Sequence, residues 1–206
     1  MSELEAIRHD TAHDAGQGIF DEGDLANNVY NVTEGCVRLF KLLPDGRRQV
    51  IGFVLPGEYF GLVTEREYPH SAEAVTPARS CRFNRTALDA LGQRYPEMQR
   101  RMLQMAWDEV GRLQEQMVLL GRKTPKERIA SFLLGLSDRH ERIGFEASPL
   151  SVAMSRGDIA DYLGLTVETV SRSFTSLKKQ GLIALPESSR VVLSDRDALM
   201  ALAGTE

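Results

Sequence analysis

The chain has 206 residues, 25 Lys and Arg against 29 Asp and Glu, a formal charge of −4, and only two cysteines, Cys36 and Cys81. This length suits one large domain or two modest ones. No run of about 18 apolar residues is present, which excludes a transmembrane helix. The polar Met1 to Asp14 stretch does not read as a secretory signal. Two cysteines without a CxxC motif exclude a disulfide framework and a four-thiolate metal or iron–sulfur site within one chain, and point to a reducing cytoplasm. The acidic excess lies in residues 1–120, with 13 Lys and Arg against 18 Asp and Glu; residues 121–148 hold 6 and 4, and residues 149–206 hold 6 and 7. The C-terminal part is therefore no basic tail, and any polyanion contact there must rest on individually placed cations.

In chain order, residues 1 to about 15 read as a mobile end. From Gly16 to about Phe83 the texture is that of short strands. Val29-Tyr-Asn-Val32 ends at Thr33-Glu-Gly35, Val37 to Leu42 ends at Pro44-Asp-Gly46, and Gln49 to Leu55 ends at Pro56-Gly57. Short strands at regular spacing, separated by glycine-bearing turns, indicate a sandwich or barrel. Asp45-Gly46 between two of them is a hairpin turn, since glycine accepts positive φ.

A helical register starts near Thr86 and breaks at Tyr95-Pro96. The stretch from there to about Gly121 is long enough for about seven turns. Leu103, Ala106, Val110, Leu113, Met117 and Leu120 recur at alternating steps of three and four, an a/d seam, while Asp108, Glu109, Arg112 and Glu115 fall off it. Such a stripe suits either a helix packed on its own domain or a two-chain coiled coil. The length of the helix, its polar outer face and its place between differently patterned regions favour the coiled coil.

Thr124-Pro-Lys-Glu127 restarts the helix with a capping box and proline in the first turn. Ile129, Phe132, Leu133 and Leu136 make its core face. Residues 138–152 read as loop with some strand character. Ser155-x-x-Asp158 signals another helix start. Ile159, Leu163, Leu165, Val170, Phe174 and Leu177 supply an apolar interior for two short helices, with Ala160 at their crossing, Gly164 in the turn and Thr166 capping the second. Leu182 to Leu185 and Arg190 to Leu193 flank Pro186-Glu-Ser-Ser189 as a hairpin, giving a two-stranded wing after the helices.

This pattern leaves Val167, Glu168, Ser171 and Arg172 at the exposed start of the second helix. Arg172 has the geometry to donate two bonds to guanine O6 and N7, and Glu168 to accept from a cytosine amino group. Ser171 and Val167 suit thymine, one by its hydroxyl and one by apolar contact. Thr166, Thr169 and Ser155, at helix starts, suit phosphate. Glu168 and Arg172 are four residues apart, so they share a face and also suit pairing with each other, as on an ordinary solvated helix. The preceding helix, the turn and the following wing favour the DNA-reading interpretation.

These features resemble the CRP/FNR family of bacterial transcription regulators over nearly the whole chain. Phe20-Asp-Glu-Gly-Asp24, Val29 to Gly35, Asp45-Gly-Arg-Arg48 and Pro56-Gly-Glu-Tyr-Phe-Gly61 agree with its N-terminal part. Glu168-x-x-Ser171-Arg172 looks like the FNR and FixK branch, and the segment Asp158 to Arg172 is closest to FixK-like proteins. The resemblance implies an α+β chain. Residues 1–94 would form the mobile end and a β-roll (a double-stranded β-helix or jelly roll), 95–122 a dimerisation helix, and 123–206 a winged helix-turn-helix. It implies a homodimer on double-stranded DNA at a palindrome like TTGAT-N4-ATCAA, with Glu168, Ser171 and Arg172 on the bases, RNA polymerase as a partner, no membrane and no enzymatic activity. The turn from Pro44 to Arg48 is of the surface-loop type through which the family touches polymerase.

The FixK likeness implies no cofactor. Members holding an iron–sulfur cluster carry an N-terminal run of cysteines, and none precedes Cys36 here. Cys81 falls where such members keep an internal cluster ligand; both cysteines read as small apolar strand residues. Where the cyclic-nucleotide pocket of CRP has a glutamate and an arginine, this chain has Leu62 and His70. A regulator gated by another ligand, by haem at His70 or by redox chemistry at Cys36 or Cys81 is the alternative. An enzyme on a cupin-like roll would need clustered metal ligands, and His9, His13, His70 and His140 are not spaced that way.

Overall fold

The computed structural model describes residues 2–144 and 146–204. They fall into two compact units, Met1–Arg112 and Leu113–Glu206. The first begins with α1 (Ser2–Ala6), β1 (Arg8–His13), β2 (Gly18–Phe20), β3 (Asn28–Glu34), β4 (Val37–Leu42) and β5 (Arg48–Val54). It continues with β6 (Tyr59–Phe60), β7 (Ser71–Ala74), β8 (Ala78–Asn84), α2 (Arg85–Arg94) and the first part of α3 (Pro96–Arg122). Two four-stranded antiparallel sheets, ordered β1-β8-β3-β6 and β2-β7-β4-β5, form the β-roll.

Inward-facing apolar residues explain the two layers. Phe20, Tyr30, Val32, Val37, Val54, Phe60, Tyr68, Ala72 and Ala74 share one core. Val29, Cys81, Phe83 and Leu88 form a second, under Met98 and Met102 of α3. In β4 the buried residues are Val37 and Phe40, three apart rather than two or four. A bulge opposite Leu39 and Phe40 shifts the pairing register, so strict alternation fails there. The β4–β5 hairpin turns at Asp45-Gly46, where Gly46 has φ +83°. Gly35 is obligatory for a different reason: a Cβ there would stand 2.4 Å from the carbonyl oxygen of Pro77.

The N-terminal stretch, expected to be mobile, instead forms α1 and β1. β1 is an edge strand paired with β8 from Arg8↔Phe83 to His13↔Ala78. Its outward residues are polar, and Arg8 pairs with Asp10 at 2.7 Å, so the apolar alternation that marks a strand is missing. His13 is its anchor, 6% exposed and 3.0 Å from the Ser80 hydroxyl through Nε2.

The second unit holds the end of α3, then α4 (Pro125–Arg142), β9 (Leu150–Ser151), α5 (Arg156–Leu163), α6 (Val167–Lys179), β10 (Ile183–Glu187), β11 (Arg190–Leu193) and α7 (Arg196–Ala203). Three features differ from the expectation. α4 runs on through residue 142. The wing is three-stranded, ordered β10-β11-β9, because Arg190 and Val191 pair with Ser151 and Leu150. And α7 closes the unit: its N-cap Asp195 accepts from the Ala198 amide at 2.9 Å. Arg196 ties α7 to α4 through Ser137 at 2.8 Å and Asp138 at 2.6 Å.

Candidate DNA-reading site

The helix pair α5–α6 is built as its apolar spacing requires. Ile159, Ala160, Leu163, Val170, Phe174 and Leu177 are buried, and Leu165 is half-buried. Ser155 caps α5, accepting from the Asp158 amide at 3.0 Å, while Asp158 accepts from the Ser155 amide at 3.1 Å and hydroxyl at 2.7 Å. Gly164 ends α5 in the left-handed conformation, φ +61°, where a side chain would cost about 1 kcal/mol or more. Two residues later Thr166 caps α6 by accepting from the Thr169 amide at 3.2 Å. Arg156 adds a lock that the sequence did not suggest: its guanidinium lies 3.5 Å from the Phe174 ring centroid. Burial lowers its pKa from the ordinary arginine value, but an arginine stays charged, so the contact is cation–π.

The start of α6 is thereby presented to solvent. Val167, Glu168, Ser171 and Arg172 are all exposed, and Thr169 is half-buried. Glu168 and Arg172 pair at 2.7 Å with side chains 75% and 71% exposed. Such a pair contributes roughly 0.5 kcal/mol or less, so both ends are easily redirected to another partner. Of the residues expected to meet phosphate, Ser155 and Thr166 have their hydroxyls engaged in caps, and Thr169 bonds the Thr166 hydroxyl at 2.8 Å. Lys178 and Lys179 stand exposed in the last turn of α6.

On α3, Leu103, Ala106, Val110, Leu113 and Met117 are exposed, and Leu120 is half-buried. A Cβ on Gly164 would sit 3.5 Å from Leu120 Cδ2, so this leucine packs towards the α5–α6 turn. The exposed apolar stripe also includes Trp107, 63% exposed, and Val118, 58% exposed, neither of which falls on the three-four spacing.

Inside the β-roll, Phe20 stacks on Tyr68 with centroids 3.7 Å apart and Tyr30 on Phe60 at 4.9 Å. The Tyr68 hydroxyl donates to the Asn28 carbonyl at 2.7 Å, and burial raises its pKa. Arg38 and Glu73 form a largely buried pair at 2.5 Å. Leu62, after the Phe60-Gly61 turn, is exposed. His70 is half-buried, and its Nε2 has no hydrogen-bond partner among the described residues. Burial, then Lys41, lowers its pKa. Cys36 and Cys81 are buried, and burial raises the Cys81 thiol pKa, which disfavours the reactive thiolate. Among the described residues no three His, Cys, Asp or Glu side chains are grouped to hold a metal ion.

Residues 11–95 match the model of a cyclic nucleotide-binding domain, and residues 127–202 that of a Crp-like helix-turn-helix domain. The nitrogen fixation regulation protein FixK of Azorhizobium caulinodans is 48% identical over 89% of this chain and 75% of its own length. The chain belongs to the CRP/FNR family of transcription regulators. Within that family it is FixK-like. The transcriptional activatory protein AadR of Rhodopseudomonas palustris is 41% identical over 97% of this chain and 84% of its own. The solved structure of FixK2 from Bradyrhizobium japonicum superposes with a TM-score of 0.89 at 36% identity, covering 95% and 97% of the two chains. As a CRP/FNR regulator the chain binds DNA through its helix-turn-helix, α5–α6. No described helix is long and apolar enough to cross a membrane.

Proposed function

We propose that the protein is a homodimeric transcription activator that reads a TTGAT-N4-ATCAA-like palindrome without a small-molecule effector. The observation that carries this reading is the exposed start of α6. It offers a bidentate donor at Arg172, an acceptor at Glu168, a hydroxyl at Ser171 and an apolar contact at Val167 on a helix locked from behind by Phe174 and Arg156. Thr166, Thr169 and Ser155 lie at the helix starts, where amides attract phosphate. The dimer seam takes the exposed stripe of α3, with Leu103, Ala106, Val110, Leu113 and Met117 joined by Trp107, and with Leu120 at its end.

Effector independence draws on the roll interior. A cyclic nucleotide needs a carboxylate for its ribose and a cation for its phosphate. This chain offers exposed Leu62 and a histidine whose burial disfavours the charged form, beside aromatic rings already stacked on one another. These residues do not fit that ligand. Activation would engage RNA polymerase, for which the β4–β5 turn from Pro44 to Arg48, exposed from Pro44 to Arg47, is the candidate contact. A ligand-gated reading is favoured by one observation, the unpartnered buried Nε2 of His70.

Selection of preferred duplexes from a random pool by untreated protein tests these points together. Enrichment of a two-fold palindrome of this kind without additives is the expected result. Enrichment of single half-sites would remove the dimer, and enrichment only after adding an effector would favour the gated reading.

A further inference from the structure

We infer that Arg128 and Gln116 are positioning residues that fix the distance between the two reading helices, and hence the spacer length that the protein accepts. This rests on the dimeric, palindrome-reading function proposed above.

The last turn of any helix leaves carbonyls without intrahelical partners. In the second unit α3 and α5 both end beside the start of α4, and one side chain there satisfies both ends. Arg128 donates through Nε to Lys123 O at 2.9 Å, through Nη2 to Leu120 O at 2.9 Å and through Nη1 to Leu163 O at 2.7 Å. Leu120 lies in the last turn of α3, Lys123 directly follows that helix, and Leu163 is the last residue of α5. Gln116 of α3 adds a direct bond, from Nε2 to Tyr162 O at 2.9 Å. Tyr162 and Leu163 are followed at once by Gly164 and by the Thr166 cap that starts α6.

A guanidinium is a planar fork with fixed donor directions, so three carbonyls bound to it are fixed relative to one another as well. α5, and through the Gly164 turn α6, is thus held at a set angle to the last part of α3 within the second unit, from Leu113 on, which carries the Leu113, Met117 and Leu120 end of the proposed seam. Two-fold symmetry doubles any error in that angle. Half-sites lie about 34 Å apart on one side of the duplex, and one base pair more or less shifts the second site by about 3.4 Å and rotates it around the helix. A helix held at a set angle rejects that shift, whereas a loosely hinged one follows it.

The test uses the full chain, with Arg128→Lys (charge kept, fork lost) and Gln116→Ala as variants. Binding is measured on palindromes with the preferred spacer, with one base pair fewer and one more, and on a single half-site; sedimentation reports the dimer. In both variants the preference for the best spacer over its neighbours should fall by about tenfold, the worth of one net hydrogen bond, while half-site affinity stays within about threefold. Variants that remain dimeric and keep the full spacer preference would overturn the inference. So would loss of the folded dimer in both, because the residues would then serve the fold itself. Absence of spacer preference in the wild-type chain would overturn the dimeric reading and the positioning role with it, and this outcome is visible without any variant.

Discussion

In the proposed dimer, replacing Trp107 by alanine should weaken association without damaging the protomer. The indole is 63% exposed within one chain. An aromatic of this size carries up to about 250 Å² of burial, so alanine removes roughly 100 Å² of apolar area otherwise available to a partner. At about 25 cal/mol per Å² this is about 2.5 kcal/mol per chain. Symmetry doubles it to about 5 kcal/mol if both rings are fully covered, and about half of that remains if they lie at the rim of the seam. The dimer dissociation constant should therefore rise by about two to four powers of ten. Sedimentation velocity over a concentration series measures it, with Glu115→Ala, exposed and off the stripe, as the control expected to change nothing. A Trp107→Ala protein that dimerises as tightly as wild type would refute α3 as the seam.

Arg172→Ala should leave stability within about 0.5 kcal/mol, because the side chain is 71% exposed and its ion pair is solvated. Its specific DNA affinity should fall by about 1–3 kcal/mol with relaxed preference at one guanine; equal discrimination among single-base variants of the palindrome would remove Arg172 from the readout. Stability should also decline in mild acid. Burial lowers the pKa of His13, His70 and His140 in the folded state. The unfolded chain therefore takes up protons first, so stability is full above the ordinary histidine pKa of about 6.5 and declines as the pH falls below it. His13→Gln, which keeps a donor near Ser80, should flatten that decline in urea midpoints measured from about pH 8 to 5; an unchanged slope would mean that His13 carries none of it.

The reading unit was legible because its signals are side chains at helical spacing. Ile159, Leu163, Val170, Phe174 and Leu177 mark one interior, and Gly164 and Thr166 punctuate it. The exposed apolar stripe of α3 was legible only in part. A strict three-four count starting at Leu103 selects Ala106, while a step of four selects Trp107, and both lie on the same broad exposed face. β1 was hidden by its polar edge position, where only His13 is buried. β9 has two residues, and α7 is a short helix after a wing strand. The bonds of Arg128 leave no trace in sequence at all, since their acceptors are backbone carbonyls present at every position. Spacing reveals faces, but it cannot reveal which helix ends meet.

An acidic chain that binds DNA must do so with few cations, and the structure limits which ones. Of the six basic residues in 149–206, Arg156 lies over Phe174 and Arg196 is bonded to Ser137 and Asp138. Arg172, Lys178, Lys179 and Arg190 remain exposed. Four cations per chain in a dimer neutralise at most about eight phosphates, and each contributes about −0.9 to the slope of log affinity against log salt, so the slope should be no steeper than about −7. If Arg172 is spent on a base, the limit moves to about −5. Titration of specific binding from low to physiological salt measures this directly. A slope well beyond −7 would show that cations outside the helix-turn-helix and wing engage the duplex. Binding would then rest on a broader electrostatic surface and not on the few side chains that α6 and the wing place.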